Sequence, residues 1–108
     1  MKIEVLYFDG CPNCGTVLDE LREQLAKEPV VPDIELLRVE SQEHAEQERF
    51  LGSPTVRVDG EDVEPGAHER CDFGLKCRLY PSDDGLVGAP PTAWIAAALL
   101  RARQSEPE

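Results

Sequence analysis

Apolar and polar positions along the chain fall into short, separable rhythms. Ile3-Glu4-Val5-Leu6-Tyr7-Phe8 is dense in β-formers and closed by Asp9-Gly10, which predicts a first strand followed by a turn. Over residues 12–27 the period changes. Val17, Leu18, Leu21 and Leu25 recur at helical spacing, while Asp19, Glu20, Arg22, Glu23 and Gln24 fill the other faces. Pro29 and Pro32 end this helix, and residues 34–39 form an aliphatic run too short for another. Two strands joined through a helix are expected to be parallel, with a right-handed crossover. Ser41 is placed to cap a second, polar helix over 42–51, closed by Gly52. Val56 and Val58 alternate, Asp59-Gly60 supplies a turn, and a brief run to Glu64 completes a β-hairpin. Residues 65–90 are rich in Gly, Pro and Asp and read as irregular. Residues 92–103 predict a terminal helix with Trp94, Ile95, Ala98, Leu99 and Ala102 on its apolar side, followed by a frayed tail over 104–108. The order is βαβαββα: one α/β domain over 1–103, with a mixed four-stranded sheet and an irregular cysteine-containing insertion before the last helix.

Charge narrows the partners. The 108 residues carry 22 acidic and 11 basic side chains, a net charge of −11. Such a surface repels phosphate backbones and anionic lipid, so neither nucleic acid nor membrane is an expected partner. No secretory leader opens the chain, and no apolar run approaches the ~18 residues of a membrane span. A cytoplasmic location is therefore expected. Thiols are kept reduced there, so four cysteines read as catalytic, metal-binding or inert rather than as structural bridges.

The candidate chemistry begins at Cys11-Pro12-Asn13-Cys14, between the first strand and the first helix. Two cysteines separated by two residues close a disulfide with little backbone movement. At a helix N-terminus the peptide dipoles also stabilise a thiolate. The same spacing is half of a zinc site, so redox and metal readings both stand at this point.

The CPNC turn, together with Ser53-Pro54-Thr55 at the head of the hairpin about forty residues later, resembles the thioredoxin/glutaredoxin superfamily in its small single-domain form. The resemblance spans nearly the whole chain except 65–90. It implies a thioredoxin-like fold and a thiol–disulfide oxidoreductase without a cofactor. Its partners would be a protein or small-molecule disulfide and a cellular reductant. Cys11 would be the attacking thiol and Cys14 the resolving one. Pro54 would be cis, presenting the Ser53 backbone beside Cys11 as a pairing edge for an extended substrate, with Thr55 completing the segment. On the residues alone, Pro54 reads as an ordinary trans proline at a strand start. The chain departs from glutaredoxins at Asn13, where a tyrosine is usual, and at Asp9, where a basic residue is usual; this counts against glutathione as ligand. Asp9 also disfavours a thiolate and argues for a reducing or intermediate potential.

A second pair, Cys71 and Cys77, lies in the segment after the hairpin. The strand directions return that segment to the sheet end that carries Cys11, where all four cysteines could meet. Three readings follow. Cys71 and Cys77 form a second dithiol that relays electrons to the first; or Cys11, Cys14, Cys71 and Cys77 hold zinc or an iron–sulfur cluster; or the second pair is small buried packing. A redox-inert interaction domain of the same fold is the remaining alternative. Arg70, Lys76 and Arg78 form a basic island that lowers thiol pKa values or receives an anion, unless Glu69 and Asp72 simply pair with it at the surface. The CPxC start, Cys71-Asp72-Phe73-Gly74 and a short terminal helix also resemble a little-characterised thioredoxin-like group with selenoprotein members, some labelled alkylmercury lyases. That label implies Asp72 as a proton donor. His44 reads as a solvated helix residue, His68 as a base, ligand or plain loop residue, and Trp94 as core.

Overall fold

The first strand is central and buries Ile3 and Val5 on one face and Leu6 on the other. A computed structural model of the protein describes residues 2–9, 14–27, 33–82 and 85–105. β1 (Lys2–Tyr7) pairs in parallel with β2 (Asp33–Arg38) and antiparallel with β3 (Thr55–Val58), which pairs antiparallel with β4 (Glu61–Asp62). The mixed four-stranded sheet has the order β2-β1-β3-β4. Asp59 and Gly60 both have positive φ, 51° and 87°, as the tight turn between β3 and β4 requires.

Alternation along the strands sorts side chains onto two faces. Ile3, Val5, Val56 and Val58 face α1 (Cys14–Leu25) and α3 (Thr92–Ser105). There Val17, Leu21, Leu25, Ile95, Ala98, Leu99 and Ala102 complete one buried cluster. Leu6 faces the other way and packs with Val39, Ala45 and Phe50 around α2 (Gln42–Gln47). The apolar periodicity of the first and last helices is thus their packing face, and Trp94 lies at the margin of the larger cluster.

Three expectations are corrected. The second helix stops at Gln47 rather than at residue 51. Ser41 caps its start as expected, accepting the His44 N–H, but Arg49, not Gly52, closes it. Arg49 takes φ 55°, so that Phe50 N–H reaches back to the Ala45 carbonyl (2.8 Å) and Phe50 packs on Ala45. The segment 65–90 is not simply irregular. It holds a 3₁₀ turn at Ala67–Glu69 and a separate hairpin of β5 (Tyr80–Ser82) and β6 (Gly85–Val87). The terminal helix continues to Ser105, into the expected tail. Among the described residues, no helix is long and apolar enough to cross a membrane.

Candidate functional site at the head of the sheet

β1 carries the chain to one end of the sheet, and α1 leaves from that end with Cys14 as its first residue. Cys11, Pro12 and Asn13, and the side chain of Cys14, lie outside the described residues. Leu6 is opposite Thr55, so Ser53 and Pro54, just before β3, lie at the same end as the β1–α1 connection. The Ser53–Pro54 peptide is cis.

Ser53 does not offer the open edge expected for a substrate. Its N–H donates to the Lys76 carbonyl (2.8 Å), and its carbonyl accepts the Arg78 N–H (2.9 Å). Together these make a parallel bridge with Cys77 directly opposite Ser53. Ser53 and Thr55 are fully buried, and Pro54 is buried between them. The occupant is the protein's own segment 73–80, here called the strap.

Several contacts fix the strap. Gly74 N–H donates to the Phe50 carbonyl (3.0 Å), and Gln42 Nε2 donates to the Phe73 carbonyl (3.0 Å). Gly52, at φ 124°, permits the closest approach: a Cβ there would stand 2.9 Å from Arg78 Cβ and 3.0 Å from the Lys76 carbonyl oxygen. Tyr80 donates its hydroxyl to the Pro54 carbonyl (2.6 Å) and meets Trp94 edge to face at 6.1 Å.

Arg78 is the main anchor, and its burial corrects the reading of an exposed basic island. It is 2 % exposed. The guanidinium donates to Asp62 through both terminal nitrogens (2.7 and 3.0 Å) and to Thr55 Oγ1 (3.1 Å), and lies 4.7 Å from the Tyr80 ring centre. Burial opposes its charge, but the Asp62 hydrogen bonds and the surrounding negative groups outweigh this and hold its pKa above the ordinary value. Burial likewise pushes the Tyr80 hydroxyl above its ordinary range. This Arg78–Asp62–Thr55 network was not anticipated from the sequence.

The rest of the basic island is neutralised outside the core. Arg70 bridges Glu64 (2.9 Å) and Asp72 (2.8 Å), and Lys76 also reaches Asp72 (2.8 Å). Glu64, rather than Glu69, is thus the second acidic partner. The hydrogen bonds from Arg70 and then Lys76 hold the Asp72 carboxyl well below the usual carboxylate range. Asp72 is thus a carboxylate held between Arg70 and Lys76 at the surface.

Cys71 and Cys77 are exposed free thiols, which corrects the reading of them as buried packing. Among the described residues no group of three or more His, Cys, Asp and Glu side chains is placed to hold a metal ion. The four-cysteine set includes Cys11 and Cys14 and so extends beyond those residues. Asp9, expected to oppose a thiolate, is partnered by Arg38 (3.2 Å). His44 is half-buried and accepts the Glu40 N–H through Nδ1 (3.2 Å). His68 lines a groove of about 510 Å³ with Arg49, Arg57, Phe73 and Arg101, whose lining includes no described cysteine.

Compared with protein-family models, with curated proteins and with solved structures, the chain matches none.

Proposed function

We propose that the protein is a thioredoxin-like thiol–disulfide oxidoreductase whose working dithiol is Cys11 and Cys14. The observation that carries the reading is topological. The central strand of a mixed sheet ends where a CxxC pair begins, and α1 starts on the second cysteine of that pair. α1 is twelve residues long, and the N-terminus of such a helix favours a thiolate. The order β2-β1-β3-β4, with helices on both faces, supports the same reading.

In this mechanism the Cys11 thiolate attacks one sulfur of a disulfide, giving a mixed disulfide and a released thiolate. Cys14 then attacks Cys11 Sγ, closing the Cys11–Cys14 disulfide and freeing the second thiol. Two electrons pass to the substrate, and a cellular dithiol restores the pair. Arg38 beside Asp9 weakens a carboxylate close to Cys11 in the sequence that would oppose the thiolate.

With dithiothreitol as reductant and a small disulfide as substrate, Cys11→Ser should abolish turnover. Cys14→Ser should accumulate mixed disulfides on Cys11, visible by intact mass. Equal activity in wild type and both variants would overturn the assignment.

A further inference from the structure

The groove that His68 lines draws its walls from the end of α2, the β3–β4 hairpin, the 3₁₀ turn and α3. Its volume of about 510 Å³ is that of a small-molecule site. Its charge sets it apart from the rest of the surface. Asp62 and Glu64 in its lining are answered by Arg78 and Arg70, which lie outside it. Arg49, Arg57 and Arg101 then stand against Glu48 and Glu61, which leaves a net positive hollow in a chain of net charge −11. Arg57 is oriented there but not neutralised. Its side chain is only 15 % exposed, and a cation so buried ordinarily meets a carboxylate. Instead Nη2 donates to the backbone carbonyls of Glu48 and Arg49, while the Glu48 carboxylate stands 4.0 Å from Nη1, beyond hydrogen-bond distance. Arg49 adds a flat cationic surface. Its guanidinium lies 5.1 Å from the centre of the Phe73 ring and donates to the His68 carbonyl (3.2 Å). Such a plane receives flat π bodies as well as carboxylates. Arg49 also has φ 55°, a conformation in which glycine alone is free of strain. The turn by itself favours glycine, and the side chain that strains it is one that lines the groove.

We infer that this groove binds a small carboxylate carried on a flat, unsaturated body. Arg57 and Arg101 receive the carboxylate, and the stack of Arg49 on Phe73 receives the body. No described cysteine lines the groove, and binding there does not depend on the dithiol proposed above.

Cinnamate is the probe, with cinnamamide as its neutral isostere and acetate as the anion without the body. Each is titrated at low salt into the isotope-labelled full chain and followed by amide NMR. Cinnamate should give saturable shifts centred on the amides of Arg49, Arg57, His68 and Phe73, and cinnamamide and acetate should each bind about tenfold more weakly or worse. Arg49→Gly removes the cation at a position where the backbone prefers glycine, so the variant should keep the native amide spectrum while its affinity for cinnamate falls about tenfold. Arg101→Gln, at an exposed position on α3, should weaken cinnamate without changing Tm. Equal binding of cinnamate and cinnamamide, or of cinnamate and acetate, would overturn the inference. So would shifts scattered over the surface, or a folded Arg49→Gly variant that binds cinnamate as tightly as wild type.

Discussion

The sheet frame and the strap meet along Ser53, yet they are held by opposite chemistry. The frame is aliphatic: Ile3, Val5, Val56 and Val58 close against α1 and α3 in one apolar cluster. The strap inverts the usual assignment of inside and outside. Its Arg78 is buried, whereas Leu75 and Leu79 are 40 % and 55 % exposed. A region built on apolar area tolerates small losses, because its contacts are many and non-directional. A region built on one desolvated ion pair does not, because removing either partner strands the other. The frame therefore carries stability, and the strap carries a defined position for Cys77 at the head of the sheet.

Arg78→Met should break that difference most severely. It leaves Asp62 without its buried cation, and a cost of about 3–5 kcal/mol is expected from urea unfolding. Adding Asp62→Leu should recover much of the loss. Hydrogen exchange should show the amides of Gly74 and Arg78 opening while those of β1 and β3 stay protected. Uniform loss of protection would mean that strap and frame form one cooperative unit.

Gly52→Ala acts on the same contact from the frame side. The φ of 124° and the 2.9 Å approach to Arg78 Cβ leave no place for a methyl group. A loss of about 1–3 kcal/mol is expected, with Cys77 alkylated faster in the variant. Unchanged alkylation would show that Gly52 does not set the seat of the strap.

Tyr80→Phe should cost least, about 1 kcal/mol, for the hydrogen bond to the Pro54 carbonyl. It also has a pH signature. The Tyr80 pKa is raised in the folded protein, first by burial, so its contribution is fully present below the unfolded value of about 10 and is lost as pH rises toward the folded one. Wild type should lose stability from about pH 10 upward, and Tyr80→Phe should flatten that part of the loss. Identical alkaline profiles would remove Tyr80 from the account.

The same contrast explains what was legible in the sequence. Residues whose burial follows from their own hydropathy were readable: the stripe Val17, Leu21, Leu25, the alternation Val56, Val58, and the Asp59-Gly60 turn all lie where expected. The parallel pairing of β1 and β2 followed from the helix between them. The end of α2 was misread because Arg49 adopts the left-handed conformation usually left to glycine, three residues before an actual glycine. The strap was misread for a deeper reason. In Cys77-Arg78-Leu79-Tyr80 the period of two is present, but the buried positions are Arg78 and Tyr80 and an exposed one is leucine. Hydropathy points the wrong way there, and partners earlier in the chain, Asp62 above all with Thr55 and Glu64, offset the cost of burying Arg78. Ser53 and Pro54 were singled out only through the resemblance to the thioredoxin/glutaredoxin superfamily, while the closure of their edge was invisible without the long-range partners of Arg78.

The most direct measurement is alkylation peptide mapping of the full chain, after metal analysis, across a graded dithiothreitol or glutathione redox buffer. Thiol–disulfide chemistry at the head of the sheet predicts that Cys11 and Cys14 convert together between about −180 and −280 mV. Persistence of both as thiols across that range, shielded from alkylation and with one metal ion per chain, would contradict it.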